Sequence, residues 1–73
     1  MEYIVIIEKT KNGFSAYPPD LPGVGAAAKT KKETLKLIKE AIEMHIEDLH
    51  AQKIKIPKPM NEAVSLNIKI KAA

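Results

Sequence analysis

The sequence predicts an α+β domain in which a three-stranded antiparallel sheet is followed by one long amphipathic helix and a C-terminal strand, in the order β-β-β-α-β. Three observations carry this expectation. A β-branched run at residues 3–8 is joined through Asn12-Gly13 to a short run at residues 14–17, helical spacing holds from Thr30 to Ala51, and strict alternation returns near the C-terminus. A chain of 73 residues has room for one domain whose core is only marginally able to stabilise itself.

Residues 3–8 place Tyr3, Val5 and Ile7 on one face and Ile4 and Ile6 on the other, the pattern of a strand covered on both sides. The polar stretch 9–13 ends in Asn-Gly, which accepts positive φ in a hairpin turn, so residues 14–17 are expected to return antiparallel. Pro18, Pro19 and Pro22 remove three backbone donors and exclude a helix or a central strand over residues 18–23. Residues 24–28 are small and apolar and fit a third strand. Thr30 and Glu33 then form a Thr-x-x-Glu capping box in which hydroxyl and carboxylate satisfy free backbone amides. From there Leu35, Ile38, Ala41, Ile42, His45, Ile46 and Leu49 recur at helical spacing to an end near Ala51. Lys36 before Glu40 and Lys39 before Glu43 are solvated pairs on the outer face. Residues 54–59 alternate and break on Pro57 and Pro59 as an extended connector. Val64, Leu66, Ile68 and Ile70 alternate with Ser65, Asn67, Lys69 and Lys71 as a half-exposed strand.

Composition narrows the function classes. The chain has no cysteine, so neither a disulfide nor a thiolate metal cluster supplements the small core, and association between subunits is the natural supplement. A homo-oligomer, dimer or tetramer, is also expected from geometry, because one helix covers one side of a sheet whose first strand is apolar on both. The opening run is too short and too acidic at Glu2 for a signal peptide, and no run approaches the roughly 20 apolar residues of a membrane helix. A cytoplasmic protein without membrane contact is the expectation. A net charge of +3 carried by lysine alone permits weak nucleic-acid binding through Lys55, Lys58, Lys69 and Lys71 but does not point to it, and the few aromatics offer little for base stacking.

The residues that could carry catalysis are dispersed. Two-metal phosphodiester cleavage needs carboxylates converging on ions about 3.5–4 Å apart, whereas the acids here lie at strand ends, in the proline loop and along the helix. His45 and His50 stand five apart, about 140° around a helix, unlike a shared-metal pair at i,i+4. Ser15 and Ser65 have no histidine in predictable company and cysteine is absent, so no nucleophile can be nominated. The expectation is a non-enzyme with no catalytic residue, no metal and no cofactor. The proline loop has two readings: a rigid crossing between strands, in which Asp20 caps a turn, or a preset display of Asp20 and Leu21 to a partner with little ordering entropy left to lose.

Gly13-Phe14, Tyr17, Pro19-Asp20-Leu21-Pro22-Gly23, Thr30 with Glu33, Glu40-Ala41-Ile42, and Ile56-Pro57 with Pro59 together resemble the HicB family of antitoxins, over about residues 3–59. The resemblance implies a partial ribonuclease H-like β-β-β-α-β fold. It also implies a partner, a small RNA-cleaving toxin of the HicA type, neutralised by covering its catalytic histidine. Tyr17, Asp20, Leu21, Pro22 and Gly23 are the residues expected to bind that partner. The chain departs from the family at Ala28-Lys29, where Gly-Asp is usual, at Thr34, where alanine is usual, and at Val24, where cysteine is common. A single domain over residues 1–73 is expected, with no C-terminal DNA-binding module.

Overall fold

In the computed structural model, which describes residues 1–71, the strands β1 (Ile6–Lys9), β2 (Phe14–Tyr17) and β3 (Ala26–Ala28) precede one helix, α1 (Lys31–Ala51). The strands form one antiparallel sheet in the order β1-β2-β3, with Ile6 opposite Tyr17 and Phe14 opposite Ala28. The α+β class, the three-stranded antiparallel sheet and the long helix are therefore as expected. β1 begins three residues later than the β-branched run, because its neighbour ends at Tyr17 and turns into the proline loop, so residues 3–5 have no ladder to join.

The β1–β2 connection differs from the expected turn. Positive φ among the described residues is confined to Lys53 and Gly23, so Asn12-Gly13 does not use it. The Thr10 N–H instead donates to the Gly13 carbonyl at 2.8 Å. Gly13 is required for space: a Cβ there would collide with the carbonyl oxygen of Ala28 at the end of β3.

Both ends of α1 are closed by local chemistry. The Thr30 hydroxyl accepts from the Glu33 N–H at 3.1 Å, as the capping box requires, while the Glu33 carboxylate accepts from that hydroxyl at 3.0 Å rather than from a backbone amide. At the far end the N–H of Lys53 donates to the His50 carbonyl and that of Ile54 to the Leu49 carbonyl, a Schellman closure in which Lys53 takes φ 58°. Thr34 is fully buried; its hydroxyl donates to the Thr30 carbonyl at 2.8 Å, with the Phe14 carbonyl 3.4 Å away, and so ties the first helical turn to β2. A fully apolar stripe does not predict this buried threonine.

The core is thin. Ala16, Leu21 and Ile38 are the buried hydrophobic residues among those described, accompanied by Thr34 and Pro18. Ile4, Val5, Ile6 and Ile7 are only half-buried, and Leu35 of the expected stripe is 41% exposed.

The expected C-terminal strand is not formed among the described residues: positions 54–71 carry no regular structure, and every residue from 60 to 71 is exposed. An alternating pattern specifies which face a strand would bury, but a strand exists only where a neighbour supplies the other half of its hydrogen bonds. Here no neighbour lies alongside. The radius of gyration of 15.3 Å, against about 11 Å for a compact chain of this length, and a long dimension of 57 Å reflect a segment that projects from the body.

Candidate partner-binding surface

The proline loop is built from two successive turns that meet at Leu21. The Leu21 N–H donates to the Pro18 carbonyl at 3.1 Å, closing the first; the Val24 N–H donates to the Leu21 carbonyl at 3.3 Å, closing the second. Pro22 and Gly23 occupy the central positions of the second turn, and Gly23 has φ 85°, the type II arrangement in which proline presets one angle and glycine supplies the other. Leu21, at the junction, is completely buried and plugs the loop into the core.

This geometry divides the five expected binding residues. Tyr17, 42% exposed, together with Pro22 and Gly23 lies on the surface. Leu21 faces inward, where it serves the core. Asp20 is engaged within the chain: its carboxylate accepts from the Met60 N–H at 3.0 Å, the Asn61 N–H at 3.1 Å and the Asn61 side-chain amide. The Asn61 N–H, with partial burial opposing and the Met60 N–H and Asn61 amide assisting, holds the Asp20 carboxyl below the usual carboxylate range. Asp20 thus caps a distant stretch of chain rather than its own turn, a contact across 40 positions with no local signature.

The second turn rises beside α1. Gly23, Val24 and Gly25 form one wall of a cleft of about 300 Å³, and Ala41, Met44, His45 and Asp48 form the other. Met44 is 65% exposed and His45 half-buried. Positions 41, 44, 45 and 48 follow helical i, i+3, i+4, i+7 spacing, so this wall of the cleft joins Ala41 and His45 of the apolar stripe to Met44 and Asp48 at its border. The cleft combines an exposed thioether, an imidazole, a carboxylate and a rigid turn. That is a set suited to contacting another protein, because it offers shape, some apolar area and charge without bringing a nucleophile and a base together. Among the described residues no group of three or more His, Asp or Glu side chains converges as a metal cage would require. No helix among them is long and apolar enough to cross a membrane.

Residues 3–69 match the family described as HicB_like antitoxin of bacterial toxin-antitoxin system. The chain belongs to the HicB-like antitoxin family. A UPF0150 protein of Thermoplasma acidophilum is 43% identical over 68 residues, covering 92% of this chain and 99% of that one. A UPF0150 protein of Helicobacter pylori is 37% identical over 60 residues, covering 82% and 83%. An uncharacterized 14.9 kDa protein from the rep-hol intergenic region of Haemophilus phage HP1 is 38% identical over 58 residues, 80% of this chain but 44% of the phage protein. No solved structure matches. The family match extends through the projecting C-terminal segment as far as residue 69, so that segment is part of the HicB-like unit.

Proposed function

We propose that this HicB-like protein is an antitoxin that binds a small RNA-cleaving toxin of the HicA type and neutralises it by covering its catalytic histidine. Membership of the antitoxin family over residues 3–69 is the observation that carries this reading. The site supports it in kind: a turn fixed by Pro22 and Gly23 beside Met44, His45 and Asp48 presents a preorganised surface, which spares the entropy of ordering a loop on binding. Tyr17, Pro22 and Gly23 make the direct contacts, while Leu21 anchors the loop to the core and Asp20 holds residues 60 and 61 beside it. The partial ribonuclease H-like fold belongs to the same reading, since three strands and a helix stand in the required order and residues 64–70 have the pattern of the missing strand. The protein acts in the cytoplasm by binding, without catalysis of its own.

The test is co-production with a small basic RNA-cleaving protein of the HicA type, followed by calorimetry of the purified pair and an RNA-cleavage assay. A stable complex in which cleavage is suppressed stoichiometrically is expected, with Tyr17→Ala weakening it at least about tenfold while the helix content stays unchanged. No complex, or a complex that still cleaves RNA at the free rate, overturns the antitoxin reading. In that event Lys55, Lys58, Lys69 and Lys71, all exposed on one extended segment, direct attention to weak nucleic-acid binding, recognised by its steep salt dependence.

A further inference from the structure

The excess of positive charge on this chain is confined to one end of the fold. The β1–β2 connection contributes Lys9 and Lys11, and the passage from β3 into α1 contributes Lys29, Lys31 and Lys32. The register brings these two segments together. Lys9 stands opposite Phe14 and Phe14 opposite Ala28, so all three strands have an end here, and Gly13 abuts Ala28 and Lys29. The five lysines are all exposed. The acids of the same stretches are Glu8 and Glu33, which leaves a balance of +3, equal to that of the whole chain; the other seven lysines are matched by seven acids.

The two local acids are turned elsewhere. Glu8 shares a sheet face with Ser15 and Ala27, whereas Lys9, Phe14 and Ala28 share the face of buried Ala16, the one that α1 covers. The Glu33 carboxylate accepts from the Thr30 hydroxyl at the helix entry.

Stability does not account for this clustering. Like charges repel across the end, and Lys31 and Lys32 occupy the first turn of α1, where the helix dipole favours acids over cations. The residues interspersed with the lysines are Thr10, Asn12, Gly13 and Thr30, so the surface presents ammonium, hydroxyl and amide groups, the set that contacts phosphate oxygens. It offers neither the desolvated apolar centre of a protein interface nor the apolar side chains that enter a membrane boundary. Phe14 is half-buried and the chain has no arginine, so base stacking and bidentate base reading are also lacking. The match is to the regular charge of a duplex and not to its bases.

We propose that this end of the protein, Lys9 and Lys11 with Lys29, Lys31 and Lys32, binds the phosphate backbone of double-stranded nucleic acid without regard to sequence. The lysine side chains make the contacts; the Glu33 amide at the helix entry is taken by Thr30. Ala41, where the cleft beside the proline loop begins, stands roughly 14 Å further along α1 than Lys32. The inference is therefore independent of the antitoxin reading, and no toxin enters its test.

That test is fluorescence anisotropy of labelled DNA and RNA duplexes of about 20 base pairs and mixed sequence, titrated with the full chain. Micromolar binding is expected at about 50 mM salt, weakening at least about 100-fold by about 200 mM, because five phosphate contacts give a slope near −4.5 of log affinity against log salt. Lys11→Gln with Lys29→Gln is expected to weaken binding at least about tenfold at low salt and to reduce the slope by about two. Lys31→Gln with Lys32→Gln is expected to do the same while melting no lower than the wild type, since it relieves the helix dipole, which removes unfolding as the cause. Lys55→Gln with Lys58→Gln, on the projecting segment, is expected to leave affinity and slope unchanged. Binding of DNA, RNA or both supports the proposal, and the ratio of the two affinities identifies the source of the phosphates. No binding of either duplex at low salt, a slope that falls only in the Lys55 and Lys58 variant, or tighter binding to polyglutamate or to phosphatidylserine vesicles than to both duplexes overturns it; the last two results mean that the charge serves an acidic protein or a membrane surface.

Discussion

The proline loop at residues 18–25 and the C-terminal segment at residues 54–71 both contain prolines and both lack regular structure, yet the first is closed and the second projects. In the loop, turn residues sit next to the atoms they must satisfy: Pro22 and Gly23 set the backbone, and two short hydrogen-bonded turns drive Leu21 into the core. In the C-terminal segment the requirement is non-local, since an alternating strand needs a neighbour that no residue within it provides. Its attachments to the body run through Pro57 and through Met60 and Asn61, before the alternating residues begin. Local turn chemistry thus determines a conformation by itself, whereas strand patterning specifies a face and leaves the partner open.

A matched pair of truncations breaks or sustains this contrast, and it carries the largest expected effect. Leu21→Ala removes a fully buried side chain beneath two turns and is expected to destabilise the fold by about 3 kcal/mol, independently of protein concentration. Leu66→Ala, at a position 74% exposed, is expected to change stability by less than about 0.5 kcal/mol. Denaturant melts at two concentrations separate them. If Leu66→Ala costs as much as Leu21→Ala in dilute solution, the C-terminal segment is packed within its own chain and the contrast fails.

Backbone substitutions come next in size. A Cβ at Gly23 meets no atom within 4 Å, so Gly23→Ala tests the positive φ alone and is expected to cost about 1 kcal/mol. Lys53 takes a similar conformation with a full side chain, and Lys53→Gly is expected to gain somewhat less than about 1 kcal/mol, the relief being offset by the entropy of the unfolded glycine. Melting curves that show no cost at Gly23 would mean that the second turn is not fixed by its backbone.

These differences also mark what was legible in the sequence. The sheet, the helix with its Thr30 cap and the glycine turn at Gly23 follow from period, capping and turn rules that act over a few residues. The role of Gly13 was not legible, because its need for space arises from Ala28 on a different strand, and Asn-Gly reads locally as a positive-φ turn. The apolar stripe hid Thr34, a polar residue whose burial is tolerable because Thr30 and Phe14 offer carbonyls. Of the candidate surface, Tyr17 and the Pro22-Gly23 turn were visible; the inward role of Leu21 and the Asp20 contact with Asn61 depend on tertiary placement. The 44–48 side of the cleft was visible as a helical face only beside the loop it faces.

Asp20 joins the two contrasted regions, and its titration gives the smallest and most local effect. Its folded pKa lies below the ordinary value because the Asn61 and Met60 amides stabilise the carboxylate. A depressed acid pKa contributes stability that is fully present above the unfolded value, near 4, and is lost as pH falls through the lower folded value. The Met60 and Asn61 amide resonances, followed by NMR as pH is lowered, are therefore expected to move together with a midpoint below the ordinary aspartate value, while the Ile38 amide in the core does not respond. Asp20→Asn is expected to abolish that titration and to loosen residues 60 and 61 at neutral pH without unfolding the loop, whose turns and Leu21 plug do not use the carboxylate. A midpoint at or above the ordinary aspartate value would mean that the contact does not persist in solution, and that the C-terminal segment is held to the body without it.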